Sequence, residues 1–231
     1  MAFTKKYLIG LAILLLIVLI GFTLLSSRHY LIFSLLIMIA SFTPFMARFA
    51  KQKLTSRELV MLAILGAIAA VSRVPFASLP SVQPTTFVII VTAIVLGPQS
   101  GFVVGVLAAI VSNLFLGQGP WTPWQMYAWG MIGLIAGLMR NRWLMKHIVG
   151  RCIYGFVMGF IFGWFMNLWV VLGLMQEFNW AELLAYYSAS FWFDLAHGLS
   201  NVFFLALFST SWIRIIERFQ RKYGLFVKEN P

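Results

Sequence analysis

The stretch SRELVMLAILGAIAAVSRVPF, residues 56–76, opens with Arg57 and Glu58 and then carries no charge until Arg73. A helix rises about 1.5 Å per residue, so a span over 58–74 reaches across most of the ~30 Å hydrocarbon of a bilayer. Basic residues lead into it, and prolines and aromatics follow. Reading it as a membrane span decides the fold, because its neighbours repeat the pattern.

On the amino-terminal side lie YLIGLAILLLIVLIGFTLL (7–25) and YLIFSLLIMIASFTPFMA (30–47), joined by a tight turn. The first has too long an apolar core for a signal peptide, and no small-residue cleavage site follows it. On the other side, apolar segments recur at 85–96, 101–116, 124–139, 152–174 and 188–212. Segment 85–96 is short for a span. The fold class expected is all-α, a polytopic membrane helical bundle. It divides into an N-terminal transmembrane hairpin extension, residues 1–50, and a six-helix core with a basic cytoplasmic tail, residues 51–231.

The 231 residues are 61% hydrophobic and 10% charged, with a mean hydropathy of +0.92. A soluble domain carries about 25% charged residues, so the bilayer is the natural solvent here. A net charge of +11 in a soluble protein would suggest nucleic acid. Here every Lys and Arg except Arg28 and Arg73 lies before the first apolar run, in the connections 48–57 and 140–151, or in the tail from Arg214. Positive charge marks cytoplasmic loops. The balance therefore reports topology and not a polyanionic partner, with both termini cytoplasmic. The connections RVPFASLPSVQPTT, GQGPWTPWQ and MQEFNWAELLAYY then all fall outside, rich in proline, aromatics and amides.

Little in the chain suggests catalysis. It has no His-Glu-x-x-His, no Gly-x-Ser-x-Gly and no phosphate-binding glycine loop. Its one cysteine, Cys152, rules out an internal disulfide or a multi-cysteine metal site and reads as a small apolar helix residue. No metal site or cofactor of its own is expected, and any ATP must be used by a partner. Small residues recur at Ala63/Ala67, Gly101/Gly105, Gly133/Gly137 and Gly155/Gly159/Gly163, a spacing that lets helices approach closely in lipid.

Polar groups gather toward the outer side. Asp194 and His197 share one face of the last helix, placed about two turns from its outer end. An acid in an apolar span needs a partner; it either pins two helices by pairing with Arg73 or meets a ligand between them. Ser112, Asn113 and Asn167 lie in the same half, and each could satisfy a neighbouring helix as well as a ligand. Trp129 and Trp192 read as an interfacial aromatic belt. Trp121 and Trp124 differ, because Pro120 and Pro123 stiffen their loop, and a preordered loop loses less entropy on binding.

Residues from about 55 to 212 resemble the substrate-binding S component of an energy-coupling factor (ECF) vitamin transporter. The resemblance rests on the basic lead-in, SRELVMLAILGAIAAVSRVPF with its Ala63-x-x-x-Ala67 pair, six core segments and three long outer connections. LTSRELVMLAILGAIAAVSRVPF, GPQSGFVVG and SNLFLGQGPWTPWQM look most similar to the cobalamin branch. The two amino-terminal spans depart from the family's usual six.

The resemblance implies a non-enzymatic subunit of a bacterial cell membrane. It would capture a vitamin, cobalamin (vitamin B12) first, from outside, and deliver it by toppling against a transmembrane coupling subunit (T component) driven by two ATPases. Ala63 and Ala67 would dock that subunit. Arg73, Gln118, Trp121, Trp124, Gln125, Asn167, Trp180, Tyr187, Asp194 and His197 are the candidate substrate contacts. Riboflavin, folate or a queuosine precursor are alternative substrates. An intramembrane enzyme using Asp194, His197 and Glu177, or an assembly protein, are the rival classes.

Overall fold

The computed structural model describes residues 54–119, 121–174 and 179–226. The two amino-terminal spans, Pro120, Glu177 and the last five residues lie outside them. The described residues form seven α-helices and no strand. These are α1 (Ser56–Val71), α2 (Thr85–Leu96), α3 (Pro98–Leu116), α4 (Thr122–Leu138), the single turn α5 (Trp143–Lys146), α6 (Ile148–Leu174) and α7 (Trp180–Tyr223). Four segments are long and apolar enough to cross a membrane: α1 continued through Phe76, α3, α6 and α7.

Helix α1 begins with a capping box. The Glu58 carboxylate accepts from the Thr55 backbone N–H at 2.7 Å, and the Glu58 N–H donates to the Thr55 hydroxyl at 3.3 Å. One side of α1 is buried through Leu62, Leu65, Gly66, Ala69 and Ala70. The other side is bare: Leu59, Val60, Ala63, Ile64, Ala67, Ile68 and Val71 are all exposed.

Helix α2 is the centre of the bundle, packed by α1, α3, α4 and α7. Eleven of its twelve residues are buried. This resolves its shortness: a helix of about 18 Å does not itself meet lipid across the bilayer, because its neighbours enclose it. Gly97 (φ +95°) turns the chain into α3, where Pro98 takes the first helical position.

Glycines set the helix contacts, as their spacing suggested. A side chain at Gly101 or Gly105 would strike the backbone of Gly133 or Trp129 across the α3–α4 seam. On the α6–α7 seam, a Cβ at Gly159 would lie 2.6 Å from the Cα of Gly198. Such close approach maximises dispersion between helices that gain nothing from hiding apolar surface in lipid.

Several helix boundaries differ from expectation. Helix α7 starts at Trp180 and not at 188, because Asn179 caps it by accepting from the Ala181 N–H at 2.9 Å and AELLA is a strong helix former. It runs 44 residues, so Asp194 lies nearly four turns in, and part of the basic tail is helical. It ends at Gly224, in the left-handed conformation. Helix α4 starts at Thr122, so Trp124 and Gln125 are helical and not part of a loop.

The up-and-down course separates charge. Arg57, Arg140, Arg142, Lys146, Arg214, Arg218, Arg221 and Lys222 lie toward the Glu58 end of the bundle, where the Phe226 N–H donates to Glu58. Among the described residues, Arg73 is the one Lys or Arg at the opposite end.

Candidate functional site at the Arg73 end of the bundle

Arg73 follows α1 and reaches inward beneath the α3–α4 connection. Its Nε donates to Gln83 Oε1 at 2.8 Å, and its Nη1 donates to Ser112 Oγ and, at 3.1 Å, to Asn113 Oδ1. The guanidinium carbon lies 4.9 Å from the ring centroid of Trp129, within the range of a cation–π contact. The amides carry the network onward. Asn113 Nδ2 donates to Thr122 Oγ1 at 2.9 Å and to Gln125 Oε1 at 2.7 Å. The Thr122 hydroxyl donates to Gln118 Oε1 at 2.9 Å, and Gln118 Nε2 donates to the Ile110 carbonyl at 3.0 Å. A ring of neutral hydrogen-bonding groups thus holds one cation.

Beneath it, Trp129 is fully buried and donates its indole N–H to Thr86 Oγ1 at 3.2 Å. This overturns its assignment to an interfacial belt. Thr86 Oγ1 also meets His197 Nε2 at 3.1 Å, and the His197 ring stands edge-on to Phe162 at 5.0 Å. His197 is therefore buried on α7, facing α2 and α6. Trp192, by contrast, is 72% exposed, as a belt residue would be.

The expected Asp194–Arg73 pair is not formed. Asp194 Oδ2 accepts from Ser190 Oγ at 3.1 Å, and Asn167 Nδ2 donates to the same Ser190 hydroxyl. The reason is the α6–α7 seam: Gly163 leaves the space that Asp194 Oδ1 fills, and this turns the carboxylate toward α6. Nearby, the Tyr187 hydroxyl donates to the Trp164 carbonyl at 2.9 Å. Asn167, Tyr187 and Asp194 thus form a second cluster along α6 and α7.

The tryptophans separate. Trp124 is 1% exposed and packs on Phe165 with ring centroids 5.1 Å apart; it is core. Trp121 is half-buried and stacks on Trp169 at 6.0 Å, bridging the α3–α4 connection to α6. Trp180 is 68% exposed at the start of α7. The structure therefore unites Arg73, Gln118 and Gln125, and leaves Trp180 outside the network.

Gln83, Thr86, Thr122 and Trp129 were missed as members. Gln83 and Thr86 lie in the outer connection RVPFASLPSVQPTT and Thr122 in GQGPWTPWQ, and the polar character of those connections is the available signal. Trp129 gave none, since a buried indole in an apolar helix reads like an interfacial one.

The arrangement suits binding. Among the described residues, no group of three or more His, Cys, Asp and Glu could hold a metal. A cleft of about 470 Å³ between α6 and α7, lined by Ile148, Cys152, Ile153, Phe156, Val157 and Val202 among others, holds no polar side chain to orient a ligand.

Residues 57–217 match the model for the ECF transporter substrate-specific component family. A UPF0397 protein of Aliivibrio fischeri (strain MJ11) is 30% identical over 90 residues, 37% of this chain and 49% of that protein. A UPF0397 protein of Vibrio atlanticus (strain LGP32) is 28% identical over 89 residues, 36% of this chain and 48% of that protein. The chain thus spans about half the length of the curated relatives it matches. No solved structure gives a significant match. The family match covers most of the chain and reaches from the start of α1 into the last turns of α7, and the chain belongs to the substrate-specific components of ECF transporters.

Proposed function

We propose that the protein captures a vitamin at the Arg73 end of the bundle and releases it on the opposite side of the membrane. The observation that carries this reading is the convergence of Arg73, Gln83, Ser112, Asn113, Thr122 and Gln125 at one end of an otherwise apolar bundle. A few placed polar groups among aromatic and apolar walls are what a small-molecule site needs. The basic opposite end is the cytoplasmic one by the positive-inside rule, so the site faces outward.

The partners are a transmembrane coupling subunit and two ATPases, which supply the energy for toppling. The bare stripe of α1 fits the docking role. Ala63 and Ala67 lie exposed among Leu59, Val60, Ile64 and Ile68, a flat apolar surface that a partner helix can approach closely. Cobalamin is the leading substrate, supported by the similarity of the loop sequences to that branch. Riboflavin, folate and a queuosine precursor follow.

The test is isothermal titration of the purified full-length protein with each of these compounds, without ATP. Saturable binding of one compound is the expected result. An absence of binding across the whole panel would overturn the capture reading.

A further inference from the structure

We propose that the substrate presents an oxyanion, a carboxylate or a phosphate ester, to the Nη2 edge of Arg73. The proposal rests on the capture site argued above and narrows the chemistry of what enters it.

A guanidinium has five N–H donors in a fixed fork. Three are committed here: Nε to Gln83, and the two on Nη1 to Ser112 and Asn113. The two on Nη2 meet no acceptor among the described residues. Ser112 and Asn113 are almost fully buried, so the fork is held in place before any ligand arrives. Preorganisation of this kind lowers the entropy lost on binding.

The charge is also unanswered. Each acceptor of Arg73 is neutral, and its remaining contact is the π-face of Trp129. The described carboxylates on this side of the bundle are engaged elsewhere, Asp194 with Ser190 and Glu182 with Asn179. The carbonyl end of α1 supplies only a fraction of a unit charge, about half by the usual reckoning. A half-buried cation gains most from an opposite charge that brings its own acceptors. Nη2 offers two diverging N–H donors, and an oxyanion accepts from such a donor in a charge-assisted hydrogen bond, shorter and roughly twice as strong as one to an uncharged amide.

This separates the candidate substrates. Cobalamin carries a phosphodiester and folate carries carboxylates, whereas riboflavin and an uncharged nucleobase offer no oxyanion.

The experiment titrates the purified full-length protein with probes paired by the presence of an oxyanion: cobalamin with cobinamide, folate with its diester, and riboflavin phosphate with riboflavin. Within the pair that binds, the member carrying the oxyanion is expected to bind at least about tenfold tighter. That preference should collapse in Arg73→Gln and partly survive in Arg73→Lys. Gln83→Glu keeps the size of the side chain and places a carboxylate on Nε; it should erase the preference too, and answers the question if Arg73→Gln fails to fold. Equal binding of the member without the oxyanion, or an unchanged preference in folded Arg73→Gln or Gln83→Glu, overturns this inference and leaves the capture reading standing. No binding by any probe overturns both.

Discussion

The backbone of Gly105 on α3 lies directly against the carbonyl of Trp129 on α4, with no room between them for a side chain. That contact places the Trp129 ring under Arg73 and its indole N–H on Thr86. The helix seam and the polar site are therefore one piece of construction. Gly105→Val should cost about 1–3 kcal/mol of stability, because the obstacle is backbone and cannot swing aside. Thermal melting in detergent measures it, and a Tm equal to the parent's would refute the close approach.

Trp121 and Trp124 should behave differently although three residues apart. Trp124→Ala empties a buried site and should destabilise by about 3–5 kcal/mol. Trp121→Ala removes a half-buried stack on Trp169; it should leave stability within about 1 kcal/mol and weaken substrate binding roughly two- to tenfold. Melting and titration of the two variants side by side separate these effects. Equal destabilisation would remove Trp121 from the binding surface.

The exposed face of α1 should matter for uptake and not for capture. Ala63→Leu with Ala67→Leu adds bulk where both residues are exposed, so folding and titrated affinity should hold. Copurification with the coupling subunit and uptake in cells coexpressing the ATPases should both fall. Normal uptake in the double variant would mean that docking uses another surface.

Asp194 should prove architectural. Asp194→Asn retains an oxygen to accept from Ser190 and should leave affinity within about threefold, a change of less than 1 kcal/mol. Gly163→Ala drives a methyl into the Asp194 carboxylate and should lower the Tm clearly. Loss of uptake by a well-folded Asp194→Asn protein would show instead that the carboxylate takes part in transport.

Much of the architecture was legible in the residue order. Segments read at 58–74, 85–96, 101–116, 124–139 and 152–174 correspond to α1, α2, α3, α4 and α6 to within a few residues. The reason is that the free energy of burying each residue adds along a helix, whatever it packs against. The start of α7 was misplaced, because WAELLAYY carries the polar and aromatic character of an interface and a helix propensity as well. The glycine seams were visible as spacing, and so was the charge asymmetry between the two ends.

The sequence by itself thus determined that the chain is a helical membrane bundle, which residues lie toward each end, and that Arg73 stands apart from the other basic side chains. Only the tertiary structure decided who meets whom. It gave Asp194 to Ser190, placed Trp129 beneath Arg73, moved Trp124 into the core and linked His197 to Thr86. Hydropathy is a property of one residue and its solvent, whereas these pairings depend on how each helix is rotated about its axis. That rotation is fixed where Gly101, Gly105, Gly159 and Gly163 let one backbone touch the next element, and no residue count along a single helix contains it.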